Sequence, residues 1–326
     1  MRKITCFWVF ICIQTLGFSA SARGLIVLAD SVNFQTIANL VYGNAPDHRN
    51  ELDIYLPKKH GAKTPMVVFI HGGFWSKGGK HQLPKPLIDL LVGQKGYAMA
   101  SINYRFVKVG SNKYPTQMDD VSQALQYISS KADSLGYKKK SFALIGASAG
   151  AHLALMYAYA NDSQKMTKTV VDIVGPTDLS DSTIRGRQGI ADATISYFLG
   201  NPDAKAEIAK TSSPIFNLSK KSGVPTVIFH GENDELVDVH QAKNLHEKLR
   251  QLGIKTELNL YPNETHEMKK SLADVFIKTA AWLVLGDMGE VGNQGPEFHR
   301  EVGHYAGEKG IQKLFALGDL SKEAVL

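Results

Sequence analysis

Short apolar runs alternate with stretches of helical spacing along most of the chain. Residues 51–56 alternate polar and apolar side chains, as a strand with one buried face does. Continuous apolar runs, typical of strands buried on both faces, occupy residues 66–70, 97–104, 142–146, 170–174 and 226–229, and a last strand is marked by Leu258 and Leu260. Apolar residues at helical spacing lie between the runs, at Val121, Leu125 and Ile128, at Leu153, Leu155 and Met156, and at Val239, Ala242, Leu245, Leu249 and Leu252. This alternation predicts an α/β protein with a largely parallel sheet covered by helices on both faces.

The alternation fails in two segments. Residues 176–222 carry scattered glycine, proline, serine and charged residues, and we expect a small cap or set of loops over the strand ends there. Residues 286–326 are rich in glycine and have little apolar periodicity, so they are interpreted as a C-terminal extension to which the sequence assigns no role. The main domain is therefore expected at residues 23–285.

The first residues have the composition of a secretory signal peptide. Arg2 and Lys3 precede an uncharged stretch with an apolar core, and Ala20-Ser21-Ala22 fits a cleavage site of small residues. Polar residues dilute the second half of the stretch, which favours cleavage over an uncleaved membrane anchor. We therefore expect a signal peptide at residues 1–22, export to a bacterial periplasm or medium, and no stable membrane span after cleavage.

Composition excludes several classes of protein. With 326 residues, 44% hydrophobic and 21% charged, the chain is neither disordered nor collagen-like. The net charge of +6 is modest and the basic residues form no long run, so we expect no nucleic-acid partner. Both cysteines, Cys6 and Cys12, lie in the predicted signal peptide, so no disulfide is expected afterwards. Since the sequence also lacks a His-x-x-x-His helix, neither a metal nor an organic cofactor is expected.

A G-x-S-x-G pattern, Gly146-Ala147-Ser148-Ala149-Gly150, lies between a predicted strand and a predicted helix. A sharp strand-to-helix turn of this kind holds its serine in strained backbone dihedrals and needs glycine two residues away on either side. A helix that merely starts with small residues is the alternative. We interpret Ser148 as the candidate nucleophile.

A serine hydroxyl needs a base and an orienting acid to become a good nucleophile. The loop after the strand at 226–229 offers Asp234 as the acid, and the loop after the last strand offers His266 as the base. Competing acids are Glu232, Glu235, Asp238 and Asp178.

Other histidines have simpler interpretations. His240 and His246 lie in a helical pattern, where exposed histidines are usual, and His230 ends a buried strand and is interpreted as a satisfied core histidine. His71 opens a glycine-rich turn and is interpreted as a residue that braces the loop.

That turn, His71-Gly72-Gly73-Phe74-Trp75, follows an early strand. A glycine-rich turn there leaves backbone N–H groups free to stabilise a developing oxyanion. The second donor in such sites is the amide after the nucleophile, here Ala149.

In this order and spacing, these motifs resemble the α/β-hydrolase superfamily, and more narrowly its esterase/lipase branch, which includes hormone-sensitive-lipase-like esterases and bacterial feruloyl/acetyl-xylan esterases. Residues 50–57, 101–105, 175–179 and 212–214 support the resemblance. It implies the α/β-hydrolase fold, with a mostly parallel central sheet, helices on both faces and a small cap. Carried over by position, it implies a catalytic triad of Ser148, Asp234 and His266, and oxyanion donors at Gly73, Phe74 and Ala149. Because Phe74 and Trp75 lie beside the oxyanion turn, we also expect their side chains to contact the substrate.

The resemblance implies a serine hydrolase that cleaves carboxylic esters of short or medium acyl groups, such as acetyl or feruloyl esters of carbohydrates. Its expected partner is a small-molecule or carbohydrate-linked ester, and the sequence does not determine the oligomeric state. One departure is Phe74, which stands where esterase turns often have a third glycine. A turn with this aromatic pair also resembles that of arylformamidases, so amide hydrolysis remains an alternative. A catalytically inactive binding module is a further one.

Overall fold

Nine strands form one mixed sheet in the computed structural model, which describes residues 26–28, 34–185 and 189–285. The strands are β1 (Ile26–Leu28), β2 (Phe34–Val41), β3 (Glu51–Pro57), β4 (Met66–Ile70), β5 (Ala98–Ile102), β6 (Phe142–Ala147), β7 (Thr167–Ile173), β8 (Thr226–Gly231) and β9 (Thr256–Tyr261). Their order in the sheet is β1-β2-β3-β5-β4-β6-β7-β8-β9. Strands β4 to β9 run parallel to one another, whereas β1, β2 and β3 pair in antiparallel fashion. The predicted fold class is confirmed.

Helices connect the parallel strands. They are α1 (Lys85–Ile88), α2 (Thr116–Leu135), α3 (Ala149–Met156), α4 (Ser182–Arg185), α5 (Ile190–Leu199), α6 (Glu207–Thr211), α7 (Pro214–Asn217), α8 (His240–Gln251) and α9 (Leu272–Leu285). A 3₁₀ turn lies at Lys80–Gln82, and π-helical turns extend α1 over Asp89–Gln94 and α3 over Tyr157–Asn161. Among the helices that the structure describes, none combines the length and the apolar character that crossing a membrane requires.

The sheet has an apolar layer on each face. Successive residues of β4 alternate between the layers, with Val68 and Ile70 on one face and Val67 and Phe69 on the other. Helices α2, α3 and α8 cover the first face, while α1 and α9 cover the second. Full burial of such aliphatic side chains contributes roughly 1.5–3 kcal/mol each relative to exposure. Burial on both faces therefore explains why the parallel strands read as continuous apolar runs.

The segment 176–222, expected as a small cap or set of loops, contains the four short helices α4 to α7 among its described residues. The predicted signal peptide (residues 1–22) and C-terminal extension (residues 286–326) lie outside the described residues. The carboxyl ends of β4, β6, β8 and β9 meet at one edge of the sheet, because these strands are parallel. Ligand sites of open α/β sheets lie outside this edge, and all the candidate site residues follow these four strands.

Candidate active site

The serine turn is built from a strand end, one strained residue and a helix start. Strand β6 ends at Ala147 and α3 begins at Ala149, so Ser148 alone makes the turn, with φ 52° and ψ −119°. A Cβ on Gly150 would collide with the backbone carbonyl oxygens at the end of β4, and one on Gly146 would collide with the first turn of α3. Both glycines are therefore required by close backbone approach, as the motif predicts. The strain holds the Ser148 hydroxyl at the edge of the sheet.

Three side chains from three separate strand ends form a hydrogen-bonded chain. The Ser148 hydroxyl donates to His266 Nε2 across 2.9 Å, and His266 Nδ1–H donates to Asp234 Oδ2 across 2.7 Å. The donor at Nδ1 leaves the Nε2 lone pair directed at the serine, which is the tautomer that a general base needs. The structure thus brings together the three residues chosen from the sequence.

Asp234 is buried, and both of its carboxylate oxygens accept hydrogen bonds. Its Oδ1 accepts the backbone N–H groups of Leu236 and Val237, each across 2.9 Å. Burial acts to raise the pKa of Asp234, but hydrogen bonds from His230 and His266 outweigh it and hold the pKa well below its usual range. The carboxylate therefore remains negatively charged opposite His266 throughout the neutral pH range.

The loops that carry the acid and the base are fastened together. The Asn233 N–H donates to Glu264 O across 3.0 Å, and the Glu232 N–H donates to Tyr261 O across 3.0 Å. A Cβ on Gly231 would collide with this second loop, so only glycine allows the approach. Backbone contacts thereby set the separation of Asp234 and His266.

The glycine-rich turn after β4 has a left-handed backbone over three successive residues. The φ angles are 112° at Gly73, 56° at Phe74 and 56° at Trp75. Because the left-handed region favours glycine, Phe74 adopts a strained conformation that glycine would adopt freely. Within residues 34–185 and 189–285, no acceptor takes the N–H of Gly73, Phe74 or Ala149. These three amides are the donors predicted for an oxyanion.

Trp75 is anchored below the turn by a histidine that the sequence analysis did not single out. Its indole N–H donates to His152 Nδ1 across 3.3 Å, and His152 Nε2–H donates to Ser212 O across 2.8 Å. The indole also stacks on Phe198, with ring centroids 4.2 Å apart. Burial lowers the pKa of His152 to about 4, so this histidine is neutral at neutral pH. The helical position of His152, one turn after Ser148, is the sequence signal that could have identified it.

None of the competing acids contacts His266 among the described residues, and two of them lie in other hydrogen bonds. The Asp178 carboxylate accepts the N–H and hydroxyl of Ser180, and Asp238 pairs with His240 Nδ1 across 2.7 Å. Glu232 and Glu235 lie on the outer side of the acid loop, beside a polar surface depression. The carboxylate that contacts His266 belongs to Asp234.

The other histidines largely match their interpretations. His246 Nδ1 lies 3.1 Å from Thr256 Oγ1. His71 is buried, donates from Nδ1 to Gly72 O across 2.7 Å and stacks on Tyr104, as a loop brace would. His230 is buried as expected, but its Nε2 also lies 3.3 Å from Asp234 Oδ2, a contact that the sequence did not indicate.

A pocket opens beside Ser148 and His266. Its remaining lining comes from the oxyanion turn, the serine turn, the segment 176–222 and the acid loop, at Phe74, Trp75, Ala149, Pro176, Ile184, Ala191, Thr194, Ile195, Leu236 and Val237. These residues carry no charge, and apart from Thr194 they are apolar. The cavity therefore suits an uncharged, mostly apolar group placed against the serine hydroxyl.

The sheet order, the strained serine turn and the chain from Ser148 to Asp234 define an α/β hydrolase of the esterase/lipase branch. The chain belongs to the BD-FAE family, whose model matches residues 52–249. This span includes Ser148 and Asp234 but ends before His266.

Curated relatives include two groups of esterases. Isoprenylcysteine alpha-carbonyl methylesterase ICME of Arabidopsis thaliana is 25% identical over 266 residues, which cover 74% of this chain and 60% of the relative. Esterase LipC of Mycobacterium tuberculosis is 28% identical over 224 residues, covering 65% of this chain and 54% of the relative. The chain thus spans little more than half the length of these proteins.

Solved structures share the fold. A truncated carbohydrate esterase from gut microbiota superposes with a TM-score of 0.65 at 22% identity, covering 78% of this chain and 99% of that one. An esterase of Thermogutta terrifontis, Est2, gives a TM-score of 0.60 at 21% identity, covering 76% of this chain and 91% of that one. At these identities the likeness concerns the fold.

Proposed function

We propose that this protein is a serine hydrolase that cleaves carboxylic esters through a covalent acyl-enzyme. The observation that carries the proposal is the continuous hydrogen-bonded chain from Ser148 through His266 to Asp234, next to three amides that have no acceptor among the described residues. The esterase relatives support the same reaction class.

In the proposed first step, Ser148 Oγ attacks the ester carbonyl carbon while His266 Nε2 takes the hydroxyl proton. Asp234 stabilises the imidazolium and keeps the proton on Nδ1. The negative charge that develops on the carbonyl oxygen is stabilised by the amides of Gly73, Phe74 and Ala149. Collapse of the tetrahedral intermediate breaks the ester bond, and His266 gives its proton to the leaving alcohol. Water then repeats the sequence on the acyl-enzyme and releases the acid.

The cavity supports a preference for short or medium acyl groups. Phe74 and Trp75 occupy the side next to the oxyanion turn, and Ile184 and Ile195 close it from the segment 176–222. Acetyl or feruloyl esters of carbohydrates are the substrates we propose, in an exported enzyme that acts in the periplasm or medium. The similarity to a protein described as a carbohydrate esterase agrees with this choice.

Amide hydrolysis is the second candidate, because the aromatic pair Phe74-Trp75 also resembles the turn of arylformamidases. Arylformamidases act in the cytosol, whereas the predicted signal peptide indicates export, so it favours the ester hydrolase. Initial rates on p-nitrophenyl acetate and N-formylkynurenine separate the two, and the proposal requires the acetate ester to be the better substrate.

Fluorophosphonate labelling tests the mechanism directly. The purified chain should be labelled at Ser148 and should hydrolyse acetyl and feruloyl esters. Ser148→Ala should abolish labelling and lower kcat by about 10⁴-fold or more, because it removes the covalent step. Ser163→Ala, at an exposed serine, is the control and should change neither. If the parent protein is neither labelled nor active on acetyl or feruloyl esters, the protein is a binding module instead.

A further inference from the structure

His230 is a second histidine beside the proposed acid, and it lies against the same carboxylate oxygen as the base. It is the penultimate residue of β8, its side chain is 0% exposed, and its Nε2 lies 2.9 Å from Val237 O and 3.3 Å from Asp234 Oδ2. A carbonyl oxygen and a carboxylate oxygen can only accept hydrogen bonds. His230 Nε2 must therefore carry a proton, which it donates to Val237 O while Asp234 Oδ2 lies within ion-pair distance of the same nitrogen.

This proton lies beside the Asp234 carboxylate. Asp234 Oδ1 accepts two backbone amides, from Leu236 and Val237, while Oδ2 accepts His266 Nδ1–H and lies 3.3 Å from His230 Nε2, within ion-pair distance. Two of these four groups belong to the backbone and one belongs to the base. Among the described residues, His230 is therefore the side chain outside the proposed reaction that lies against the carboxylate.

A second buried carboxyl group lies on β7, the strand that pairs with the strand of His230. Asp172 of β7 pairs in register with Ile228, two residues before His230, so the strand period puts both side chains on the same face of the sheet. Asp172 Oδ1 accepts the Gly175 N–H across 2.9 Å, while Asp172 Oδ2 and His230 Nδ1 have no hydrogen-bond partner within the described part of the chain.

Asp172 and Asp234 are the charged groups that act on His230. Burial acts to lower the pKa of His230, but the hydrogen bond and the charge of Asp234 outweigh it and raise this pKa above its usual value. The two acceptor oxygens beside Nε2, of Val237 and Asp234, keep a proton on this nitrogen whether the ring is neutral or protonated.

We infer that His230 is a positioning residue whose Nε2–H fixes the Asp234 carboxylate so that His266 stays directed at Ser148. The inference rests on the proposed function and names a fourth side chain for that reaction. Loss of the donor removes a positive N–H group from beside Oδ2, so the carboxylate attracts the proton of His266 more strongly and stabilises the protonated imidazole. The acid limb of the pH profile of kcat/KM should then move to higher pH. Since His266 would then be less well directed at Ser148, kcat should also fall. KM should remain unchanged, because His230 does not line the pocket.

Two amide variants form a matched pair. The side-chain nitrogen of His230→Gln reaches close to the position of Nε2, whereas that of His230→Asn ends near Nδ1 and cannot reach Asp234. We expect the Gln variant to keep the parent's acid limb and most of its kcat on p-nitrophenyl acetate. The Asn variant should lose between about 10-fold and 100-fold in kcat, with KM unchanged and the acid limb at higher pH. His246→Gln, on α8, is the control. Equal losses in both His230 variants without a shift of the acid limb would show a merely structural role and overturn the inference.

NMR of the full chain with ¹⁵N-labelled histidine gives a readout that needs neither activity nor a folded variant. In the parent, His230 should carry a proton on Nε2, and His266 should show a low-field Nδ1–H signal. The Asn variant, where folded, should lose or broaden that signal, and the Gln variant should keep it. A parent His230 protonated only at Nδ1 would overturn the inference. A parent with the expected signals but no hydrolytic activity would refute the proposed function and leave the positioning role standing.

Discussion

The Cα of Gly231 packs directly against the carbonyl oxygen of Glu264, so closely that any Cβ at this position would overlap that oxygen. The two residues belong to the loops that carry Asp234 and His266. The distance between the proposed acid and base is therefore set by backbone packing rather than by the two side chains alone.

Gly231→Ala should separate these loops. The added Cβ would also stand 2.8 Å from Thr265 O, and both obstructing atoms belong to the backbone and cannot rotate away. We expect kcat to fall between about 10-fold and 100-fold and the free energy of unfolding to fall by about 1–3 kcal/mol. Gly61→Ala is the matched control, since no atom lies within 4 Å of its Cβ. Unchanged kinetics in Gly231→Ala would show that the loops adjust without moving the base.

Asp234→Asn should be severe. The amide replaces an oxygen that accepts from His266, which disfavours the tautomer with its proton on Nδ1, and the related change in the serine-protease template costs about 10⁴-fold in kcat. Asp178→Asn and Glu232→Gln should be mild, because neither carboxylate contacts His266. Steady-state kinetics on one short ester compare the three variants. A severe Asp178 variant beside a mild Asp234 variant would assign the acid to Asp178.

Phe74→Gly should widen the range of acyl groups. It removes an aromatic ring from the cavity lining and relieves a left-handed φ of 56°, while its backbone N–H stays in place for the oxyanion. Relative kcat/KM on acetate, butyrate, octanoate and palmitate esters should shift towards the longer chains. A parent enzyme that already hydrolyses palmitate esters faster than acetate esters would contradict the proposed preference.

Asp172→Asn should change the pH dependence of stability. Burial raises the pKa of Asp172 to about 7, whereas in the unfolded chain it lies near its ordinary value of about 3.9. Between these values the folded protein holds a proton that the unfolded chain has released, so this group makes stability fall as pH rises through the window. The Asn variant has no proton to release at this position, so this contribution to the fall in stability is absent.

Urea unfolding from pH 4 to pH 8 measures the difference. The variant should gain stability relative to the parent up to about pH 7, the pKa of Asp172, and the difference should then level off. Ser163→Ala, at an exposed serine that carries no titratable group, should differ from the parent by a constant amount. A constant difference for Asp172→Asn as well would contradict the raised pKa.

The buried parallel strands and the serine turn could be predicted from sequence because each has a local signal. Apolar runs mark strands covered on both faces, and Gly146 and Gly150 mark a turn that other residues cannot make. The predicted strand at 66–70 matches β4 residue for residue. The catalytic roles of Ser148, Asp234 and His266 remain predictions, although the structure brings the three side chains together.

Other features lacked such a signal. Strand β2 was not predicted because a register shift between Ile37 and Leu40, with Asn39 at φ 59°, breaks the two-residue alternation. Helix α9 is an exception, because its apolar residues stand at helical spacing, among them Val275, Phe276, Ala280 and Leu283. The contact of His230 with Asp234 depends on how the acid loop folds back on β8, which no local pattern encodes.

Strand β9 forms one edge of the described sheet, and all six of its residues are partly exposed. His266 follows this strand, while Ser148 follows β6 in the buried centre of the sheet. Local opening starts at weakly protected elements, so mild denaturant should release the base while the serine turn is still folded. Inactivation and global unfolding would then be separate transitions, with an inactive but compact species between them.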